Sequence, residues 1–367
     1  MVPYFLLLII PLLFQFDQKR RIKLKNRSVR VAELALPLFF VLYLLLLALR
    51  YQYLGRDLSN YEMIFYRNGN TDFKSIFDEL REFIFRLYCW SFYNFISEDY
   101  QLFISFTAII SVFPLMYVYC KDKSQGFLKA SIFVNMSTFI MLFSGIRQGL
   151  AFCVGILAYQ ALVDKKYVRF GLLAFITMFI HHTGFMILFL LPLYFLRLRK
   201  RDLLWIVPAA ALVIIFNQQI FNFLSNFIFE LTDDDTYLSV AGETGAILSF
   251  ALFALFAVFS YVVEDEKKMD KEAFFLRNIL LFAVVLQSFA SLNSWAMRMN
   301  YYFVILVPIA VGKSISFAKP NMLQVAKIGK LAMCVFFTAY FLVNVYTASK
   351  TGISALDNYP YRFFWEG

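Results

Sequence analysis

Long apolar blocks alternate with short polar stretches along almost the whole of this 367-residue chain. A helix that spans a bilayer needs roughly 20 mostly apolar residues, with a range of about 17–25, so the blocks predict about twelve spanning helices. No polar stretch is long enough for a separate soluble domain, so we expect one polytopic membrane domain over residues 1–367. The predicted spans are residues 2–16, 31–49, 100–119, 127–143, 147–163, 167–180, 183–196, 203–217, 246–263, 273–292, 300–317 and 330–347.

The stretch 80–97 is also apolar, but it carries charged residues, Glu82 and Arg86 among them. Charged side chains in the middle of a bilayer are costly. Their spacing leaves an apolar stripe that is typical of a helix lying at an interface. The stripe consists of Phe83, Leu87, Trp90 and Phe95. We therefore expect an outer amphipathic helix, with Phe83 and Leu87 buried and Glu82 and Arg86 in solvent.

The charges predict an orientation. The chain has 35 Lys and Arg against 25 Asp and Glu, a net charge of +10, and 61% hydrophobic residues. Cytoplasmic loops carry an excess of Lys and Arg, and with 80–97 outside this rule places both termini outside as well. The longest outer parts are then residues 50–99 and 218–245, where we expect the substrate-handling surface. Positive charge confined to short loops argues against nucleic acid binding.

One predicted helix begins with SGIRQG (Ser144–Gly149), which puts Arg147 at its outer N-terminal end. Free N–H groups and the helix dipole favour anions there, and a guanidinium adds a charged fork that suits phosphate. Ser144 and Gln148 beside it favour a built polar site. The alternative interpretation is an arginine that reaches out to lipid headgroups.

The two histidines of the chain are adjacent, in FIHHTGF (Phe179–Phe185), where one predicted helix ends outside and the next begins. An imidazole acts as an acid or a base near neutral pH. Neighbours on one helix point in different directions, so we expect only one of His181 and His182 to enter a site. The alternative is a pair that bonds backbone at a tight turn. Two neighbouring ligands without a cysteine or carboxylate cluster argue against a metal site.

A third polar stretch, SLNSWAMRMNYYF (Ser291–Phe303), places Arg298 at the outer start of a predicted helix, with Tyr301 and Tyr302 one turn further. Aromatic residues at this depth also form interfacial belts, so both interpretations stay open. Three outer helix starts thus carry an arginine or histidines. Together they predict a cationic pocket for a phosphorylated or pyrophosphorylated substrate.

Two outer loops carry further polar residues. Asp57 and Tyr61 in the first loop are suited to bind sugar hydroxyls, and Asp57 is also a candidate base; a solvated loop is the alternative. The run TDDDTY (Thr232–Tyr237) suits a cation or sugars, but a run of charges is usually a solvated face.

The pairing of SGIRQGLAFCVGILAY (Ser144–Tyr159) with FIHHTGFMILFLLPLYF (Phe179–Phe195) resembles the EpsG-like branch of the Wzy polysaccharide polymerases. In that family an RQ-bearing helix start is followed by a basic inner loop and a His-bearing turn. The stretch Arg56–Tyr61 is similar to the family's first-loop Asp…Tyr pattern, although Leu58 stands where the family often has a tyrosine.

The resemblance implies a C-type glycosyltransferase fold and glycosyl transfer at the outer face of the bacterial cytoplasmic membrane. The implied donor is a growing glycan on undecaprenyl pyrophosphate, and the implied acceptor is one repeat unit on the same lipid. No cofactor is implied, and the sequence contains no Gly-rich nucleotide-binding loop. Besides membrane lipid, a chain-length regulator and a flippase are the implied partners.

In such a reaction the leaving pyrophosphate is negatively charged, and Arg147 and Arg298 would stabilise it. A general base would deprotonate the acceptor hydroxyl. His182 is the first candidate for this base, followed by His181 and Asp57. Further candidate substrate-binding residues are Ser144, Gln148, Tyr61, Tyr301 and Tyr302.

Two other classes of membrane protein would use similar residues. A flippase or exporter of lipid-linked glycans also needs a cationic cavity, but with basic residues towards the middle of the bilayer. A membrane O-acyltransferase can use an intramembrane histidine, but it needs access to an inner acyl donor. The predicted gathering of Arg147, Arg298 and the histidines near one face favours an enzyme of the outer leaflet.

The predicted orientation is tested by labelling single introduced cysteines from outside with an impermeant thiol reagent. We expect label at position 235 and none at position 200, because the basic loop 197–202 is placed in the cytoplasm. Label at 200 without label at 235 would overturn the orientation.

Overall fold

In the computed structural model the described residues are mostly helical, which confirms the all-α prediction. The described parts of the chain are residues 1–16, 20–24, 27–223, 242 and 245–366. Their one sheet is an antiparallel hairpin of β1 (Arg21–Leu24) and β2 (Arg27–Arg30). The acidic run Thr232–Tyr237 and most of the predicted outer loop 218–245 lie outside the described residues.

The chain divides into two compact units, Met1–Ile187 with Ile328–Gly367, and Leu188–Lys327. Helices of the first unit are α1 (Val2–Phe16), α2 (Ala35–Ala48), α3 (Leu58–Gly69), α4 (Phe83–Phe95), α5 (Tyr100–Tyr119), α6 (Gly126–Phe133), α7 (Ser137–Ser144), α8 (Ile146–Val163) and α9 (Tyr167–Ile180). Helices of the second unit are α10 (Leu190–Phe195), α11 (Leu203–Ile215), α12 (Asn217–Phe223), α13 (Ala246–Val263), α14 (Lys271–Gln287), α15 (Ser294–Val304) and α16 (Val307–Ser316). The last helix, α17 (Leu323–Thr351), belongs to the first unit from Ile328 onwards. Short 3-10 helices cover Val31–Leu34, Lys74–Phe77, His182–Phe189, Lys200–Asp202, Pro320–Met322 and Phe364–Glu366.

Several helices are long and apolar enough to cross a membrane. In the described part of the chain there are 5, or up to 8 if each of three bent helix pairs counts as one span. The bent pairs are α6 with α7 (59°), Lys200–Ile215 with α12 (69°), and α15 with α16 (42°). Three predicted spans, 127–143, 203–217 and 300–317, fall on these pairs, because hydropathy registers apolar content and not a break in the helix.

The break between α6 and α7 is stabilised by Asn135. Its side-chain amide donates to the carbonyl of Ser131 and, at 2.8 Å, to the carbonyl of Phe337 on α17. Backbone groups at membrane depth must find partners inside the protein. Asn135 therefore gives the Ser131 carbonyl a hydrogen-bond donor at the break, and it bonds α17 to the same point.

The segment 80–97 forms a helix, α4, that packs against α3 and α9, but its buried face differs from the predicted one. The buried residues are Glu82, Phe85, Cys89 and Phe92. Phe83 and Leu87 are half-buried, while Phe95 is 76% exposed. The prediction that Glu82 reaches solvent is therefore wrong. Two faces of α4 are nearly equally apolar. The face that packs inwards is the one in line with the Glu82 carboxylate.

The second unit contains a buried ion network around Arg277 of α14. Its guanidinium donates to Glu264 (3.3 Å), Glu266 (2.8 Å) and the Leu198 carbonyl (2.6 Å). A buried charge is tolerated only when it is paired and hydrogen-bonded. The network therefore explains an arginine inside an apolar helix and ties α13 to α14.

Candidate active site

A buried carboxylate, Glu82, joins three segments that are far apart in the sequence. Arg147 donates from Nη1 to Glu82 Oε2. His182 lies on the other oxygen, with Nδ1 3.0 Å and the backbone N 3.3 Å from Oε1. His181 Nε2 lies 3.9 Å from the same atom. We call these four residues the Glu82 cluster.

Local backbone geometry brings the four side chains together. Gly145 separates α7 from α8, so Arg147 stands in the first turn of α8 as predicted. Glu82 precedes α4 in a left-handed conformation, with φ 57° and ψ 26°. Such a conformation costs a non-glycine residue about 1–3 kcal/mol, and strained residues of this kind gather at functional sites. The hydrogen bonds and the ion pair of the Glu82 carboxylate offset the free-energy cost of this conformation.

Both histidines approach Glu82, whereas only one was expected to enter a site. The reason is that α9 ends at Ile180, and His181 is extended, with φ −146° and ψ 136°. The two residues therefore do not share a helix, and their rings stack at 4.2 Å. Thr183 donates its backbone N–H to His181 Nδ1 at 3.2 Å, which leaves Nε2 of that ring as the side facing Glu82.

The turn after the histidines depends on a close backbone approach at Gly184. A Cβ atom there would lie 2.3 Å from the Thr177 carbonyl oxygen. Because that neighbour is backbone, it cannot move aside as a flexible side chain can. A glycine at this position therefore allows the His182–Phe189 segment to fold back onto the end of α9.

Arg147 is enclosed by aromatic rings but keeps unused hydrogen-bonding capacity. Its guanidinium carbon lies 5.5 Å from the Tyr61 ring centroid and 5.9 Å from that of Phe85. Its side chain is 32% exposed, and its buried Nε has no acceptor among the described residues. The arginine is thus oriented by Glu82 and the rings, with part of its side chain still open to an anion.

Glu82 carries a stable negative charge. Burial alone would raise the pKa of its carboxyl, but the hydrogen bond from His182 and the positive charge of Arg147 outweigh burial and lower the pKa to about 2. The carboxylate therefore stays ionised at neutral pH. It can orient a guanidinium and an imidazole at the same time.

A second polar contact joins the first outer segment to the end of α7. Ser144 Oγ donates to Asp57 Oδ2 at 2.8 Å, and the Asp57 backbone N–H donates to Ser144 Oγ at 3.1 Å. Gly55, with φ 144°, lets the loop pass close to α7, because a Cβ there would lie 2.0 Å from the Phe143 carbonyl oxygen. The candidate residues Asp57 and Ser144 thus form one contact, three residues before Arg147.

The remaining candidates fall in different places. Tyr61 and Gln148 are buried in the first unit, Tyr61 against Arg147. Arg298 lies on α15 of the second unit, where it packs over Trp295 at 5.2 Å. It is the fifth residue of α15, whose N-terminus is capped by Asn293, so it does not stand at the helix start as expected. Whether Arg298 reaches Arg147 stays a prediction.

Tyr301 and Tyr302 are almost fully buried within the second unit, at 3% and 1% exposure. A ring in an interfacial belt faces lipid or water, whereas these rings are covered by protein. Their positions therefore favour packing over an interfacial belt. A role in binding substrate stays a prediction for both.

The donor set of the cluster bears on metal binding. Glu82, His181 and His182 offer ligand atoms within 4.8 Å of one another, a set that could hold a metal ion. The sequence pattern showed no carboxylate near the histidines, and the fold supplies one. The second oxygen of that carboxylate is bound by Arg147, and its positive charge opposes a cation. The geometry therefore favours an ion-paired polar site over a metal site.

Sequence reasoning identified three of the four cluster residues and misplaced Glu82. The available signal was its spacing, because Glu82, Phe85 and Cys89 recur at intervals of three and four residues, as one helix face does. A carboxylate on such a face needs a buried partner.

Comparison with known proteins gives one match. A family model described as the EpsG family matches residues 33–363. No curated protein and no solved structure matches the chain significantly.

A double-mutant cycle tests whether Glu82 and Arg147 form a coupled pair. We expect Glu82→Gln and Arg147→Gln each to lower the free energy of unfolding in mixed detergent micelles, and the double variant to lose less than the sum. The expected coupling is roughly 0.5–3 kcal/mol, the range for residues in contact.

The pair Glu79 and Arg86 provides the matched control for this cycle. Arg86 Nη1 lies 3.4 Å from Glu79 Oε2, but the Glu79 side chain is 74% exposed. The same cycle should therefore give a coupling free energy of about 0.2–1 kcal/mol. Equal coupling in both cycles would show that burial does not strengthen the interaction between Glu82 and Arg147.

Proposed function

The chain belongs to the EpsG family, and on that premise we propose that it polymerises lipid-linked oligosaccharide repeat units at the outer face of the bacterial cytoplasmic membrane. The donor is a growing glycan on undecaprenyl pyrophosphate, and the acceptor is a repeat unit on the same lipid. The observation that carries the proposal is the Glu82 cluster, in which one carboxylate orients an arginine and an imidazole.

The reaction breaks one bond and forms another. The bond between the anomeric carbon of the donor glycan and the pyrophosphate oxygen breaks, and its electron pair leaves with the pyrophosphate. A hydroxyl oxygen of the acceptor bonds to the anomeric carbon and loses its proton. The chemistry therefore needs a group that stabilises the pyrophosphate and a group that accepts the proton.

Arg147 has the properties of the pyrophosphate-binding group. It is partly exposed and is aligned by Glu82, and its buried Nε has no acceptor among the described residues. Arginine binds phosphate through a planar fork of parallel donors. Because Glu82 and the aromatic rings already hold the guanidinium, little reorganisation is needed when charge develops on the leaving group.

His182 has the properties of the base. When its Nδ1–H donates to Glu82 Oε1, the basic lone pair lies on Nε2, which accepts the acceptor's proton. The carboxylate then stabilises the imidazolium that forms, as the acidic member of a catalytic triad does. General base catalysis of this kind typically contributes about 10²–10⁴ in rate. His181 is the second candidate for the base, and Asp57 is the third.

The other candidate residues and the membrane arrangement have roles in the same reaction. Asp57, Tyr61, Ser144 and Gln148 belong to the substrate-binding region around Arg147. Arg298, Tyr301 and Tyr302 contribute a second cationic face. The protein has about twelve spans in a C-type glycosyltransferase arrangement, with both termini outside. A flippase supplies the repeat units, and a chain-length regulator acts on the product.

Substitution of Arg147 tests the proposal in cells. Arg147→Ala should abolish nearly all polymer, and Arg147→Lys should lose most of it, because lysine keeps the charge but lacks the planar fork. Loss of one such contact typically costs about 10²–10³ in rate, or about 2.7–4 kcal/mol. Polymer length is read on a gel, with the amount of protein in the membrane measured separately.

The exposed Arg67 of α3 provides the matched control, and Arg67→Ala should give a normal ladder. A normal ladder from a well-expressed Arg147→Ala protein would refute the role of Arg147 in binding pyrophosphate.

A further inference from the structure

A cavity of about 400 Å³ lies in the first unit between α1, the break of α6 and α7, and α17. Ligand pockets typically measure about 300–1,000 Å³ and have mostly apolar walls with a few polar groups. Wall residues include Tyr4, Asn135, Phe139, Ile140, Phe341 and Val345. Because α17 is a candidate membrane span, the cavity lies within reach of lipid.

The cavity exists because α17 contacts the rest of the unit along a narrow stripe. From the middle of the helix onwards, its buried residues are Phe337, Phe341, Val345 and Ala348. These positions recur at intervals of four and three residues, so they form a single face of the helix. The other faces of α17 are largely exposed, and the space beside the stripe is left unfilled.

The walls change in polarity along α17. Asn135 stands at the break of α6 and α7, with its amide bonded to the Phe337 carbonyl. Apolar side chains line the part near Phe341, and Asn344 and then Ser354 and Asn358 line the part towards and beyond the end of the helix. No lining residue carries a charge. The cavity therefore suits the uncharged part of an amphiphile, with the polar end directed towards the C-terminal segment.

The polar end of the cavity lies next to the Asp57–Ser144 contact. Ile140 and Ser144 are four residues apart on one face of α7, which separates them by about 6 Å along the helix. On the other side, the lining segment is attached to the residue before Asp57, because the Arg56 N–H donates to the Leu356 carbonyl at 3.0 Å. The cavity thus adjoins the two segments that lead to Asp57 and to the first turn of α8.

A second concavity extends the apolar surface. It measures about 410 Å³ and is formed by Phe5 and Ile9 of α1 with Leu342, Val343 and Tyr346 of α17. Because it also lies between α1 and α17, it offers a continuation for a chain too long for the first cavity.

We propose that the cavity holds the hydrocarbon chain of a polyisoprenoid phosphate lipid, next to its phosphorylated end. The absence of charge among the lining residues places the phosphate outside the cavity. Arg147 stands three residues after Ser144, which contacts Asp57 beside the segment that lines the cavity. A single cavity with a single apolar extension fits one long chain better than the two chains of a phospholipid. The inference rests on the proposed function, because it locates the lipid part of that substrate.

Photolabelling tests this assignment on the full-length protein in nanodiscs. The probe is a polyprenyl monophosphate with a diazirine in the isoprene units nearest the phosphate, and labelled peptides are identified by mass spectrometry. We expect label on residues 134–140 and 340–348. Excess unlabelled undecaprenyl phosphate should remove it, and excess phosphatidylglycerol should not.

Two tryptophan substitutions sharpen the test. Ala348→Trp fills the cavity, whereas Ala339→Trp adds the same bulk on the opposite, exposed face of α17. We expect Ala348→Trp to weaken labelling about tenfold, equivalent to about 1.4 kcal/mol, and Ala339→Trp to leave it unchanged. The wild-type labelling decides the question even if Ala348→Trp fails to fold.

Label confined to other helices, or equal competition by phosphatidylglycerol, would overturn the proposal. Polymerisation of repeat units is measured on the same preparations. Polymer formed without label in the cavity would refute the lipid site alone, and label in the cavity without polymer would refute the proposed function alone.

Discussion

The arrangement of the candidate site depends on the need to compensate one buried negative charge. An unpaired carboxylate in an apolar setting is highly unfavourable, and Glu82 is compensated by Arg147 on one oxygen and His182 on the other. This requirement selects the face of α4 that packs inwards. It also brings the first turn of α8 and the end of α9 to the same point, so one interaction connects three distant segments.

Parts of this arrangement are evident from the sequence, because hydropathy reports burial in lipid or protein. The ends of α1, α5, α9 and α13 coincide with the predicted apolar blocks, and Arg147 occupies the predicted helix start. Contacts between distant segments leave no such pattern. The face of α4 had two nearly equal apolar choices, and the joint approach of the histidines depends on the extended backbone of His181. The bends within three helix pairs were likewise hidden, since their residues are as apolar as those of straight spans.

The same geometry relates the site to its proposed substrate. A guanidinium held in place by Glu82 suits a leaving group whose charge appears only during the reaction, and an imidazole held by the same carboxylate suits the loss of the acceptor's proton. The cavity beside α7 has the complementary character, since its lining is uncharged and its C-terminal lining segment is hydrogen-bonded to the residue before Asp57. Apolar chain, pyrophosphate and sugar would thus meet groups of matching chemistry in sequence along the first unit.

Reconstitution tests whether this protein lengthens lipid-linked glycans. Purified protein in liposomes is supplied with a synthetic undecaprenyl-pyrophosphate-linked repeat unit, and the glycans and free lipid are measured by mass spectrometry. We expect glycans of two or more repeat units, with one undecaprenyl pyrophosphate released for each new linkage. Repeat units that cross the bilayer without becoming longer would contradict this expectation and indicate a flippase instead.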